Sequence, residues 1–176
     1  MDAVLPFAES LERLKESFLW AAAKGGHAED CLSLLEYGAD VNWVSPEGDT
    51  ALIAACRGGH SQVVDLLLSH GADIDQQTTD GTTALHCCVQ RGDQNLTKLL
   101  LEAGCSTTLT NVRGHTAHAI AVQKGLPFLA GLLQQYMSRN SPANQLQHQS
   151  ADNDDDDDNN NNNNNTAIAA NAATST

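Results

Sequence analysis

Histidine and cysteine side chains that could bind a metal ion are concentrated in the second half of the chain. His86, Cys87 and Cys88 are consecutive, and His115 and His118 lie further along. Because imidazole nitrogens and thiolates are the usual zinc ligands in proteins, a zinc-dependent enzyme is one hypothesis for this group. The sequence has no HExxH motif, nucleophile elbow, phosphate-binding glycine-rich loop or evident pair of catalytic carboxylates. A catalytic function would therefore depend on these five residues.

The elements that must position these residues repeat with a fixed period. Glycines recur every 33 residues in three series. The series are Gly26, Gly59, Gly92 and Gly125; Gly38, Gly71 and Gly104; and Gly48, Gly81 and Gly114. The same period aligns segments 50–56, 83–89 and 116–122, each beginning Thr-Ala, with a more divergent copy at 17–23. The chain is therefore expected to contain about four copies of one structural unit.

These units resemble the ankyrin repeat, in which a Gly-x-Thr-Pro-Leu-His-x-Ala-Ala pattern precedes a Val/Leu-rich helix and a Gly-Ala-Asp-x-Asn turn. The resemblance covers residues 9–137, with repeats at 9–44, 45–77, 78–110 and 111–137. It implies an all-α repeat fold, an ankyrin solenoid of helix-turn-helix units joined by β-turn loops. Residues 1–8 are assigned to an N-terminal tail, and the charged segment 9–15 is expected to extend the first helix.

Each unit carries signals for the start and end of its first helix. A threonine is placed to cap the start, and a glycine to end the helix in a left-handed conformation. The threonines are Thr50, Thr83 and Thr116, and the glycines are Gly59, Gly92 and Gly125. One unit cannot bury both of its apolar faces, so stability must come from stacking. Terminal units are expected to have a polar outer face, as Asp30 and Ser33 indicate for the first.

The chain is acidic, with 9 Lys and Arg against 22 Asp and Glu and a formal net charge of -13. Since sequence-independent affinity for nucleic acid comes from clustered cations, nucleic acid is not expected as a direct partner. Residues 138–176 are rich in Gln, Asn and Asp and include Asp154–Asp158. They cannot bury enough apolar surface to offset the entropy of ordering, so we predict a disordered tail.

No segment predicts membrane insertion or export. The first residues lack the basic and apolar regions of a signal peptide, and no run approaches the roughly 18 apolar residues of a membrane helix. The cysteines are odd in number and lie mostly in apolar helical patterns, which favours reduced, buried thiols over a disulfide framework. They are Cys31, Cys56, Cys87, Cys88 and Cys105. We therefore expect a cytoplasmic or nuclear protein that does not bind membranes.

The resemblance implies that partners bind the concave surface, formed by the loop tips between repeats and the exposed side of the first helices. Aromatic residues and arginine are over-represented in binding hot spots, so Trp43 and Arg113 are the leading candidates. Packing of Trp43 across its own turn is the alternative. The other tip residues assigned to partner binding are Pro46, Glu47, Asp49, Asp80 and His115.

A row of cations is predicted near the ends of the first helices. Its members are Lys24, Arg57, Arg91 and Lys124. On an acidic domain, such a row is a candidate site for an acidic segment, either of a partner or of the chain's own Asp154–Asp158 run. The alternative is that these cations only favour helix C-termini and solvent.

The ankyrin pattern also bears on the metal hypothesis and on modification. His86 stands at the pattern's histidine position, and Cys87 and Cys88 stand at small apolar positions, which favours structural roles; no metal or other cofactor is implied. Leu34 and the run Asp40-Val41-Asn42 resemble a recognition pattern for asparaginyl hydroxylation, which makes Asn42 a candidate. The alternative is that Asn42 only hydrogen-bonds its turn.

The function expected from this resemblance is that of a monomeric, non-enzymatic adaptor or scaffold that binds another protein. The alternative is a stoichiometric inhibitor of a protein kinase or other enzyme, because small four-repeat ankyrin inhibitors have the same build. That likeness is architectural only, and fold does not by itself specify function.

Overall fold

The computed structural model describes residues 5–139, with side chains from Leu14 onward. Within this range the chain forms eight helices in four consecutive pairs. They are α1 (Leu5–Gly25), α2 (Ala28–Glu36), α3 (Ala51–Gly58), α4 (Ser61–Ser69), α5 (Ala84–Arg91), α6 (Gln94–Glu102), α7 (Ala117–Gln123) and α8 (Pro127–Arg139). Extended structure within residues 5–139 is limited to two isolated antiparallel bridges. The fold is therefore the predicted all-α solenoid of helix pairs. No helix in this range is long and apolar enough to cross a membrane.

The helices at the two ends extend past the domain bounds taken from the sequence. α1 begins at Leu5, so residues 5–8 are helical rather than tail, and segment 9–15 extends the helix as expected. Pro6 is tolerated there because first-turn amides have no helical partner. α8 ends at Arg139, so Ser138 and Arg139 also belong to a helix. Residues 140–176, with most of the predicted tail, lie outside the described residues.

The predicted threonine caps are confirmed. Thr50 Oγ1 accepts a hydrogen bond from the amide of Ile53 at 3.3 Å. Thr83 and Thr116 accept the equivalent bond from the amide three residues later. Each bond satisfies one of the amides that a helix start leaves without a partner, which explains why all three units begin Thr-Ala.

Glycine ends the first helix of the two internal units. Gly59 and Gly92 follow α3 and α5 in the left-handed region, with φ of 82° and 77°, where a side chain would be strained. In the last unit Lys124 is the cap and Gly125 follows it. All ten glycines of the three series have positive φ, so the period visible in the sequence is a period of backbone conformation.

Stacking of the first helices forms the centre of the molecule. α1, α3, α5 and α7 pack in series as an inner layer, α2 packs on α4 and α6 on α8, and each pair packs internally. Where the inner helices meet, the side chains are small and fully buried, as at Ala55, Cys56, Cys88 and Ala121. Small side chains let the helices approach closely, and Leu67, Leu100 and Leu133 close the core from the second helices.

The turns at the tips share one hairpin geometry. In the first, the Gly48 amide donates to the Ser45 carbonyl and the Ser45 amide donates to the Asp49 carbonyl, both at 2.8 Å. The turns that start at Thr78 and Asn111 repeat both bonds. In all three, the side chain at the start of the turn accepts a bond from the amide four residues later. The tips are therefore rigid and equivalent.

Candidate protein-binding site

A polar pocket of about 210 Å³ lies on the concave surface at the third and fourth repeats. Asp80, Arg113 and His115 line it from the tips, and Lys124 lines it from the end of α7. Its other lining residues are Thr82, His86, Gln90, Asn111, Val112, Ile120 and Gln123. Four of the residues predicted for partner binding therefore meet at one place.

The two tips beside this pocket are joined by their backbones. The Val112 amide donates to the Asp80 carbonyl at 3.0 Å. The Gln77 side-chain amide donates to the carbonyls of Gly81 and Thr110 at 2.9 and 3.1 Å. Because these bonds fix one tip against the next, the pocket is formed before any partner binds.

Charges of both signs face this pocket. The Asp80 carboxylate accepts bonds from the Thr78 hydroxyl and the Thr82 amide, and the Thr78 bond is the main cause of its lowered pKa. Asp80 therefore stays ionised near neutral pH. Arg113 is exposed, and its backbone amide is fixed by the Asn111 side chain at 3.0 Å. The pocket thus offers an acidic and a basic group on a fixed frame.

His86 has a structural role at the base of this pocket. It is buried, its Nδ1 accepts the Thr83 amide at 3.2 Å, and its Nε2 donates to the His115 carbonyl at 3.1 Å. Burial lowers the pKa of His86, and the bond to the His115 carbonyl opposes this effect. The adjacent Cys87 and Cys88 are buried in the core. Within residues 14–139, no three His, Cys, Asp or Glu side chains are grouped to hold a metal ion.

A second pocket, of about 250 Å³, lies between the first and second repeats. Trp20, Lys24, Asp49 and Arg57 line it together with Ala54 and Gly58. The Lys24 ammonium lies 4.6 Å from the centre of the Trp20 ring, a cation–π distance. The buried Trp20 Nε1 has no hydrogen-bond partner among the described residues.

Sequence reasoning missed Trp20 as a site residue. It aligns with Ile53 and His86, which are buried in the internal repeats, so its position in the unit indicates core. The signal that could have identified it is its size. An indole cannot be accommodated at a position that packs between small side chains, and Trp20 accordingly remains partly exposed.

Asp49 is not exposed at the tip, where the sequence predicted that it would contact a partner. It is buried, and both of its carboxylate oxygens accept bonds from the Arg57 guanidinium, one of them at 3.0 Å. This pairing is the main cause of the raised pKa of Arg57. The hairpin turn brings Asp49 back over the end of α3, where it can pair with Arg57 instead of facing a partner.

Two members of the predicted row of cations, Arg91 and Lys124, make bonds between repeats. The Arg91 guanidinium donates to the Arg57 carbonyl at 2.9 Å, and the Lys124 ammonium donates to the Gln90 carbonyl at 2.7 Å. His60 Nε2 lies 3.1 Å from the Lys24 carbonyl. We call His60, Arg91 and Lys124 the cross-repeat caps, because each bonds the end of the inner helix one repeat earlier. For Arg91 and Lys124 this geometry matches the preference of cations for helix C-termini, although the helix belongs to the neighbouring repeat.

The remaining predicted residues lie at the first tip and its flank. Pro46 and Glu47 are exposed at the tip, and Trp43 is half-buried beside it. Asn42 is exposed, and its side chain accepts the Asp73 amide at 2.7 Å and donates to the Gly71 carbonyl at 3.3 Å. Asn42 therefore joins the first repeat to the second, and its hydroxylation stays a prediction.

Comparison with protein families identifies the repeats. A family model described as ankyrin repeats (3 copies) matches residues 18–111 and 70–144. No curated protein sequence matches the chain significantly. Ankyrin repeats generally mediate protein–protein interactions, and the family is typically non-catalytic. With the repeat period, the caps and the helix pairs described above, this match shows that the chain belongs to the ankyrin-repeat family.

Proposed function

We propose that the chain is a non-enzymatic adaptor or scaffold that holds a partner protein on its concave surface. The observation that carries this proposal is the polar pocket of the third and fourth repeats. There, tip residues and a helix-end residue of two successive repeats line one preformed site. Preformed sites bind with a smaller entropy cost, because little has to be ordered on association.

Arg113 is the residue of this pocket on which we expect binding to depend most. It is exposed, and within residues 14–139 its guanidinium makes no hydrogen bond or ion pair. A carboxylate of a partner can therefore pair with it without breaking a bond inside the protein. Arginine is also among the residues most often found to dominate protein interfaces.

We further propose that the protein acts in a reducing compartment, the cytoplasm or the nucleus. All five cysteines are buried free thiols. Burial raises the pKa of Cys87 to about 11 and that of Cys105 to about 12. Thiols in this state are weak nucleophiles and fill core positions as small apolar groups.

The experiment compares Arg113→Glu with Lys98→Glu as baits in lysate from the protein's own source. Both substitutions reverse one exposed cation, but Lys98 lies on the outer helix α6, where its one ion pair within the described part of the chain is with Glu102 at 3.6 Å. Circular dichroism first shows that both variants are folded. We expect Arg113→Glu to reduce capture of the partner by about tenfold or more and Lys98→Glu to leave it unchanged.

Two outcomes have different consequences. Equal capture by both variants would contradict binding at this pocket. If the captured protein is an enzyme that loses its activity at one-to-one stoichiometry, the chain is an inhibitor of that enzyme rather than a passive scaffold. Reversal of Arg57, Arg91 or Lys124 is a poorer test, because each of these residues makes a bond inside the fold.

A further inference from the structure

The outward side of the first repeat carries an apolar groove between α1 and α2. Its volume is about 460 Å³, and Phe18, Ala21, Ala22, Leu34 and Tyr37 supply its apolar lining. Phe18 is 59% exposed and Tyr37 is 77% exposed. We call this feature the end groove. It is separate from the concave surface, since its lining shares no residue with either pocket there.

Comparison with the second repeat shows which kind of element covers the equivalent face inside the stack. One period after Phe18, Ala22 and Leu34 stand Ala51, Ala55 and Leu67. These three are 3%, 0% and 0% exposed, because α1 and α2 pack against α3 and α4. The end groove is therefore a face on which helices stack, and it has no helix on it among the described residues.

The sequence had indicated a polar outer face for this repeat, and the structure corrects that expectation. Asp30 and Ser33 are exposed as predicted. However, Phe18 stands where the internal repeats have alanine, and Tyr37 adds a second exposed ring. Such an apolar patch with polar neighbours is typical of a binding surface.

The charge around the end groove indicates the chemistry of its occupant. Glu29 and Asp30 begin α2, Glu36 ends it, and all three are exposed. One cation lies beside the groove as well, Lys15, whose ammonium donates to the Tyr37 carbonyl at 3.4 Å, so the carboxylates outnumber it three to one. No described cation forms an ion pair with Asp30. A second copy of this chain would bring another net charge of -13 and the same acidic residues to the contact. The chain's own Asp154–Asp158 run would be repelled for the same reason, so a basic occupant is favoured.

We propose that the end groove binds an amphipathic helix of a partner protein, with apolar residues against Phe18, Leu34 and Tyr37. Lysine or arginine residues flanking that apolar face pair with Asp30 and Glu29. A helix fits because the equivalent face of the second repeat is covered by helices. This site goes beyond the proposed concave-surface function. It gives the molecule two binding surfaces, as joining two partners requires.

The test uses a fluorescent synthetic helix of leucine and lysine at helical spacing, titrated against the full chain by anisotropy. Phe18→Glu is compared with Phe128→Glu, since Phe128 is 60% exposed on α8 at the other end of the stack. We expect Phe18→Glu to weaken binding by about tenfold or more and Phe128→Glu to leave it unchanged. Equal affinity of both variants would overturn the proposal.

A charge exchange tests the second half of the proposal and does not depend on the fold of Phe18→Glu. Asp30→Lys should weaken binding of the leucine–lysine peptide and strengthen binding of a matched leucine–glutamate peptide. No change in this preference would contradict a basic occupant. Dimerisation of the wild type in sedimentation, lost in Phe18→Glu, would assign the groove to a second copy instead. Arg113→Glu should bind the peptide normally, so failure at the end groove is distinguishable from failure at the concave surface.

Discussion

At the scale of single residues, His86 shows how a side chain suited to catalysis or metal binding can be used for packing. Its Nδ1 accepts the Thr83 amide, so the ring proton must be on Nε2, which donates to the His115 carbonyl. The neutral ring therefore accepts the amide at the start of α5 and at the same time donates to a carbonyl of the next tip. Protonation of Nδ1 would remove its ability to accept the Thr83 amide.

This arrangement predicts a pH dependence of stability. The folded-state pKa of His86 lies below its ordinary value of 6.5, so the unfolded chain binds this proton more readily. The free energy of unfolding should therefore fall as the pH drops below about 6.5. We expect this loss between about pH 7 and pH 5 to be smaller in His86→Gln, measured by urea denaturation. The same loss in both proteins would show that other groups cause it.

At the scale of the elements, much of the fold could be predicted because it depends on signals that recur in every unit. Thr50 and Gly59 act within their own helix, so the sequence of one unit is enough to assign them. The roles of Asp49 and Phe18 could not be predicted in this way. Asp49 is buried by its pairing with Arg57 across a turn, and Phe18 is exposed because no preceding helix covers it among the described residues. Both depend on contacts that periodicity does not encode.

A substitution at Gly59 tests how the end of α3 depends on Arg91 of the next repeat. A Cβ on Gly59 would lie 2.5 Å from the Arg91 guanidinium, whereas one on Gly104 meets nothing within 4 Å. Their φ values, 82° and 87°, impose similar strain, of about 1–2 kcal/mol. Gly59→Ala should therefore destabilise by about 1 kcal/mol more than Gly104→Ala in chemical denaturation, because Arg91 loses its bond to the Arg57 carbonyl.

The Arg91→Ala background supplies the control for this comparison. With Arg91 removed, the difference between the two alanine variants should disappear, since the displaced bond is already absent. If the difference in stability persists in that background, it arises from backbone strain at Gly59 and not from the loss of the Arg91 bond.

At the scale of the whole molecule, stability comes from stacking, and the first repeat stacks on one neighbour only among the described residues. In such arrays the end units open with lower free energy than the internal ones. Cys31 in the first repeat and Cys56 and Cys88 in the internal repeats are all fully buried, so they report opening at different places in the stack.

Pulsed alkylation at about pH 8 measures this opening. Burial raises the pKa of Cys31 to about 11, and the pKa of Cys56 is also well above its ordinary value. Neither thiol should react while its repeat is folded, because the thiolate is the reactive form. We expect Cys31 to be labelled faster than Cys56 and Cys88 in peptide mass spectrometry. Equal rates would show that the described repeats open as one unit.

The cross-repeat caps determine how a chain of this kind can change in length. His60, Arg91 and Lys124 each complete a helix that was synthesised earlier. Duplication or loss of one whole 33-residue unit therefore keeps each inner helix end bonded to a cap from the next repeat, whereas an insertion between a helix end and its cap separates the two.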